Sequence, residues 1–224
     1  VALSGELFPA GLLVFLATAC LLDRHLLRAC LAFIAFALLM ALAWWRLDSP
    51  WLALVEATLG ALLTGITLLH GLGRLGSRSS LPLRDRERRP RQQATARWLA
   101  ALVWLTLAGA AVWGVSGNSE LAASVEVTRW VLLATGLTIM ALGLWAFAHH
   151  LHLLRRLLAF NVLGSGIFLL LAGLAGPAVE VQGLILVGLV VSLIGSVLGV
   201  ALLRRLHAQD GRVVLGDGGR EEAG

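Results

Sequence analysis

Seven stretches of this chain are apolar over about the length that crosses a bilayer: 3–22, 26–45, 51–72, 98–115, 130–148, 157–175 and 181–203. A helix needs roughly 20 apolar residues to span the hydrocarbon core. In lipid every backbone N–H and C=O must be bonded within the structure itself, so runs of this length fold as helices. The chain is 58% hydrophobic and 14% charged, more apolar surface than a soluble domain of 224 residues can bury. The expected fold is therefore an all-α integral membrane protein with seven transmembrane helices.

Charge predicts an orientation for those helices. All the Lys/Arg-type cations are Arg, and most lie in alternate connections: Arg24 and Arg28 after the first span, Arg74 to Arg97 after the third, Arg155 and Arg156 after the fifth, Arg204 onward after the seventh. The other side keeps Arg46 and Arg129. Cytoplasmic loops carry the excess of Arg, so the N-terminus is expected outside and the C-terminus in the cytoplasm. This also accounts for the net charge of +5 without nucleic acid as a partner. Tryptophans prefer the membrane interface. Trp44, Trp45, Trp51, Trp113 and Trp130 fall at expected outer ends, Trp98 and Trp145 at inner ends, and Trp104 alone falls deep.

One acid, Glu56, lies inside the apolar stretch Trp51 to Leu72. An acid in hydrocarbon is expensive unless it takes up a proton, pairs or faces water, and so marks a functional site. Asp48-Ser49-Pro50 is expected to open this span, with Asp or Ser as cap and Pro in the first turn. Glu56 then lies about 9 Å along the axis. At an α-helical pitch Gly60, Leu63, Thr67 and His70 share its face. Gly60 leaves room for water, Thr67 can donate and accept, and His70 brings an imidazole that can carry a proton. These residues are read as part of a proton path from mid-membrane towards the cytoplasm. The competing reading is a packing stripe with a neutral, hydrogen-bonded Glu and an interfacial His, and for His70 alone that reading is preferred.

In the second half, Gly188, Ser192, Gly195, Ser196 and Gly199 recur at three- and four-residue spacing, which lets another helix approach closely and predicts packing against a partner. Asn161 and Ser165, four apart, can hold water or an interhelical hydrogen bond. His149, His150 and His152 read as an interfacial cluster at a helix end rather than a metal site. Cys20 and Cys30 read as small buried hydrophobes. No metal, cofactor or enzymatic catalytic group is expected. The acidic, Arg-free start of the first span argues against a cleaved signal peptide.

The run Ser49-Pro50-Trp51-Leu52-Ala53-Leu54-Val55-Glu56-Ala57-Thr58-Leu59-Gly60, with Leu26 to Met40 before it, resembles the MbhD-like segment of Mrp-type cation/proton antiporters and membrane-bound hydrogenases. Pro50, Ala53, Leu54, Glu56, Ala57 and Gly60 match the family's usual residues, whereas Trp51 and Val55 replace an Asp and a Thr. Residues Leu157 to Ser165 and Gln182 to Val191 are similar to the three-helix NuoK and MrpC subunits of respiratory complex I and the antiporters. There the family's two glutamates align with Asn161 and Gly195, neither of which can ionise. A fainter likeness to the MbhE helix covers Arg97 to Val115 and its outer loop.

The expected organisation follows: an MbhD-like three-helix segment at 1–75, an Arg-rich cytoplasmic loop at 76–97, a bridging helix and outer loop at 98–126, an MrpC/NuoK-like segment at 127–206 and a flexible tail at 207–224. The resemblances imply an accessory, non-enzymatic subunit of a hetero-oligomeric, proton-coupled cation transport complex in a bacterial inner membrane. Its partners would be large antiporter-like subunits and the lipid bilayer. Glu56 is the principal candidate for proton handling, with Thr67, His70 and Asn161 behind it. The alternatives are a stand-alone small transporter or a purely structural scaffold.

Overall fold

The structure, a computed structural model, describes residues 2–23, 25–76, 127–150, 152–176 and 178–210, with Leu99, Val103, Thr106 and Ala110 as isolated helical positions. The described residues form α1 (Ala2–Leu22), α2 (Leu26–Arg46), α3 (Pro50–Val55), a π-helix π1 (Glu56–Thr64), α4 (Gly65–Gly76), α5 (Val127–His149), α6 (Leu153–Ala175) and α7 (Val179–Asp210), with no strand among them. The elements α3, π1 and α4 run on as one rod. Five rods carry stretches long and apolar enough to cross a membrane: Leu26–Arg46, Pro50–Gly71, Arg129–His149, Leu153–Ala175 and Val179–Arg205. In α1 the apolar part, Leu7–Leu22, is shorter. Among the described residues the chain is thus all-helical and multi-pass. The expected fourth span lies outside the described residues apart from those four positions, as does the tail beyond Asp210. α7 continues past the expected span end at 203, so the tail expected from 207 begins as helix.

A tight turn sets how the third span meets the second. Asp48, at φ 54°, takes the left-handed conformation that usually falls to glycine after a helix. Ser49 N–H then donates to the Trp44 carbonyl at 3.1 Å, closing the end of α2. The expected side-chain cap on α3 is not made: the Ser49 hydroxyl donates to Leu47 O at 3.3 Å instead. Pro50 does open α3, where its missing N–H costs nothing.

The helices pack as one bundle in which the first three rods and the last three interlock. α1 lies against α2, α5 and α6, and α7 lies against α6, π1 and α4. α5 and α6 approach to backbone contact. A Cβ on Gly166 would lie 2.5 Å from Met140 N, and one on Gly143 would lie 2.7 Å from Leu163 N. Only glycine allows helices this close. At the Leu22 end, Arg155 is buried and donates to the carbonyls of Leu21 (3.4 Å) and Asp23, and His150 Nε2 lies 3.0 Å from Leu21 O. These groups satisfy carbonyls that a helix C-terminus leaves unbonded. They tie α1 to the α5–α6 turn.

Candidate functional site

Glu56 is the one buried carboxyl among the described residues, at 2% exposure. It is also the first residue of π1. A π-helix bonds i to i+5 and is rare, usually a single turn near a functional site; here it runs for nine residues. Thr64, which closes it, donates its hydroxyl to Leu59 O five residues back at 2.7 Å. The side chain thereby repeats the wider backbone register.

That register corrects the expected face. An α-helical projection from Glu56 gives Gly60, Leu63, Thr67 and His70, whereas the buried positions are Ala61, Thr64, Gly65, Leu68 and Gly71, a face displaced by about one residue. The wide turns absorb one extra residue, and everything beyond them rotates. Leu63 is 43% exposed and His70 is exposed as well. Thr67 is half-buried, with its hydroxyl on Leu63 O at 2.8 Å. The structure therefore does not gather Thr67 and His70 with Glu56. The buried hydroxyl that follows the acid along the rod is Thr64.

Glu56 packs on α2. Its Oε1 fills the space a Cβ on Gly60 would need, 2.5 Å away, and Ala37 Cβ lies 3.8 Å from the same point. Trp44, buried at 1% exposure, is the polar neighbour of the carboxyl. Neither Trp44 Nε1 nor Glu56 Oε2 completes a hydrogen bond. The indole N–H of Trp44 thus faces the carboxyl as its one side-chain donor without forming a well-made hydrogen bond, an under-satisfied arrangement for two buried polar groups. Trp44 keeps its expected place at the end of α2 but packs inside the bundle. The ring turns inward because the turn through Asp48 folds α3 back along α2, while Trp45 and Trp51, at 64% and 62% exposure, keep the outward position.

Asn161 belongs to a different, closed arrangement. Its Nδ2 donates to Leu157 O (2.8 Å) and Ser196 Oγ (2.9 Å), and its Oδ1 accepts from Ser192 Oγ (2.7 Å) and Ser196 Oγ (3.2 Å). Ser165 Oγ donates to Asn161 O at 3.2 Å. This network joins α6 to α7. Part of the small-residue stripe of α7, expected to receive a partner, faces α6 here, while Gly195 and Gly199 also line an open groove. A Cβ on Gly188 would meet Phe168 at 2.5 Å, one on Gly195 would meet Phe160 at 3.7 Å, and one on Gly199 would meet Leu157 at 3.0 Å. Of the three clustered histidines, His149 stacks on Trp145 with ring centroids 5.1 Å apart, and His150 reaches α1. Cys20 and Cys30 are buried free thiols.

Residues 11–77 match the family model MbhD, which describes one of the subunits of MBH. That stretch is an MbhD domain. It holds α2, the turn, Trp44, Glu56, π1 and Thr64, which is the whole of the candidate site. No curated protein and no solved structure gives a significant match to the chain. The family match stops short of 127–206, so the likeness of that part to MrpC and NuoK rests on the sequence resemblance alone.

Two residues of the site, Trp44 and Thr64, do not stand out in the sequence. For Trp44 the available signal is its place one turn before a Pro-initiated span that carries an acid. For Thr64 there is none, because its position depends on the π register.

Proposed function

We propose that this chain is a non-catalytic membrane subunit of a multisubunit assembly of the membrane-bound hydrogenase and Mrp-like antiporter type, and that Glu56 is its proton-handling side chain. The carrying observation is the buried carboxyl whose Oε2 has no well-formed hydrogen bond and whose one side-chain donor is the poorly aligned indole N–H of Trp44. A group so placed can take and release a proton, or hold a water that does, without breaking an existing hydrogen bond. The MbhD match over the same residues supports a subunit, with other membrane subunits as partners. In this reading Thr64 replaces Thr67 and His70 as the next hydroxyl along the path, and Asn161 serves α6–α7 packing. The MrpC/NuoK-like character of 127–206, the seven-span topology with its N-terminus outside and a bacterial inner-membrane location belong to the same proposal.

Glu56→Gln preserves shape and removes the titrating proton. The expected result is a complex that assembles in normal stoichiometry and loses at least roughly tenfold in proton-coupled flux, read with a pH-sensitive dye in vesicles. Full flux from that variant would refute the role of Glu56. Isolation of the chain as a self-sufficient transporter would refute its place as a subunit.

A further inference from the structure

Between α6 and α7 lies a groove of about 440 Å³, lined by Leu157, Phe160 and Leu202, with Gly195 and Gly199 where larger side chains would fill it. Arg156 also lines it, its guanidinium carbon 4.6 Å from the centre of the Phe147 ring. The two helices are antiparallel, and Gly199 packs on Leu157. Arg156, near the start of one membrane-crossing stretch, therefore lies at the same end of the bundle as Arg204 and Arg205, which close the other. Both of these are exposed. No acid occurs in 152–176 or in 181–207; the described acids at this end are Asp23, whose Oδ1 accepts from the His25 N–H, and Asp210 at the end of α7, so the cations are in excess.

The groove is too small to enclose a helix. A helix with side chains is about 10 Å across and displaces roughly this volume in a single turn. A thin, flexible chain fits along the groove. At the end of a membrane-crossing helix, arginines reach the headgroup level while their stems stay in apolar surroundings. We propose that this groove binds one anionic phospholipid, an acyl chain lying against Gly195 and Gly199 and the phosphate held by Arg156 with Arg204 and Arg205. The charge of the site selects an anionic headgroup over a zwitterionic one.

The test is native mass spectrometry of the full chain, released from vesicles of mixed phosphatidylglycerol and phosphatidylcholine. The wild type is expected to retain one phosphatidylglycerol at least roughly tenfold over phosphatidylcholine. Arg156→Gln should abolish that preference. Gly195→Leu should remove retention, since its Cβ starts 3.7 Å from the nearest atom and its side chain extends into the groove without forcing the helices apart. Gly164→Leu, at a position with nothing within 4 Å, is the control for added bulk and should bind as the wild type does. Equal retention of both lipids by the wild type, a wild-type preference in either groove variant, or loss of binding in the control would each overturn the site. None of these outcomes bears on Glu56.

Discussion

Gly60→Ala is the sharpest probe of the acid site, because it moves the carboxyl without altering its chemistry. The added methyl would lie 2.5 Å from Glu56 Oε1 and 3.1 Å from Cδ. Comfortable contact is about 3.5 Å, so the carboxyl must retreat by about 1 Å. What gives way is the tip of a flexible side chain rather than backbone, which puts the cost near the low end of the overpacking range, about 1 kcal/mol. The gain in helix propensity from Gly to Ala is also about 1 kcal/mol. The two offset, and unfolding in micelles should be unchanged. Function should not be, since a displacement of about 1 Å at a reacting group costs on the order of 10²-fold. Proton flux in vesicles carrying the assembled complex is expected to fall by roughly 10- to 100-fold. In the Glu56→Gln background the same methyl should do nothing further, because both changes act through one group. Normal flux in Gly60→Ala, or an added loss in the double variant, would refute the assignment of Gly60 as the niche of the carboxyl.

Gly166→Ala puts a methyl 2.5 Å from the backbone nitrogen of Met140, where no side chain can yield; denaturant titration in micelles should show a loss of about 2–3 kcal/mol. Asn161→Ala removes the bonds that hold α6 to α7 and should cost about 1–2 kcal/mol in the same assay, with flux per assembled complex unchanged. A selective loss of flux in that variant would return Asn161 to the proton path.

The membrane class and most helix ends are legible in the sequence because run length and apolar content are properties of the chain read in one dimension. The second span, expected at 26–45, is Leu26–Arg46. The site is only half legible. Glu56 stands out because an acid in hydrocarbon is rare whatever the fold does around it. Its companions are misplaced because a projection at constant pitch cannot anticipate π1, and one absorbed residue exchanges Thr67 for Leu68 and His70 for Gly71 on the buried face. Trp44 lies at the expected end of α2, and what the belt rule does not say is which of two adjacent tryptophans packs inward. The glycine stripe of α7 is visible as a surface for close approach, but spacing alone does not say which helix arrives. The neighbour is α6. The tightest contact, Gly143 and Gly166 between α5 and α6, joins two helices whose pairing only the folded bundle shows.

Asn161 and Glu56 together show why the acid is read as functional and the amide is not. Both are buried, at 5% and 2% exposure, inside helices of membrane-crossing length. Asn161 has both amide hydrogens and both oxygen lone pairs engaged, as a polar side chain retained for packing should. Glu56 leaves Oε2 without a well-formed hydrogen bond, and its one side-chain donor, the Trp44 indole N–H, is poorly aligned. The irregular backbone is also concentrated around the acid: a non-glycine residue at positive φ in Asp48, then a π-helix that begins at Glu56. A non-glycine residue in the left-handed region costs of order 1–3 kcal/mol and persists where the surrounding fold over-determines it, and π-turns recur near functional sites. A sequence selected for packing alone gains nothing from placing an under-bonded acid at the start of the least regular stretch of its own helix. A sequence that must leave a carboxyl oxygen accessible to a proton carrier needs such a place, and the MbhD match covers the same residues.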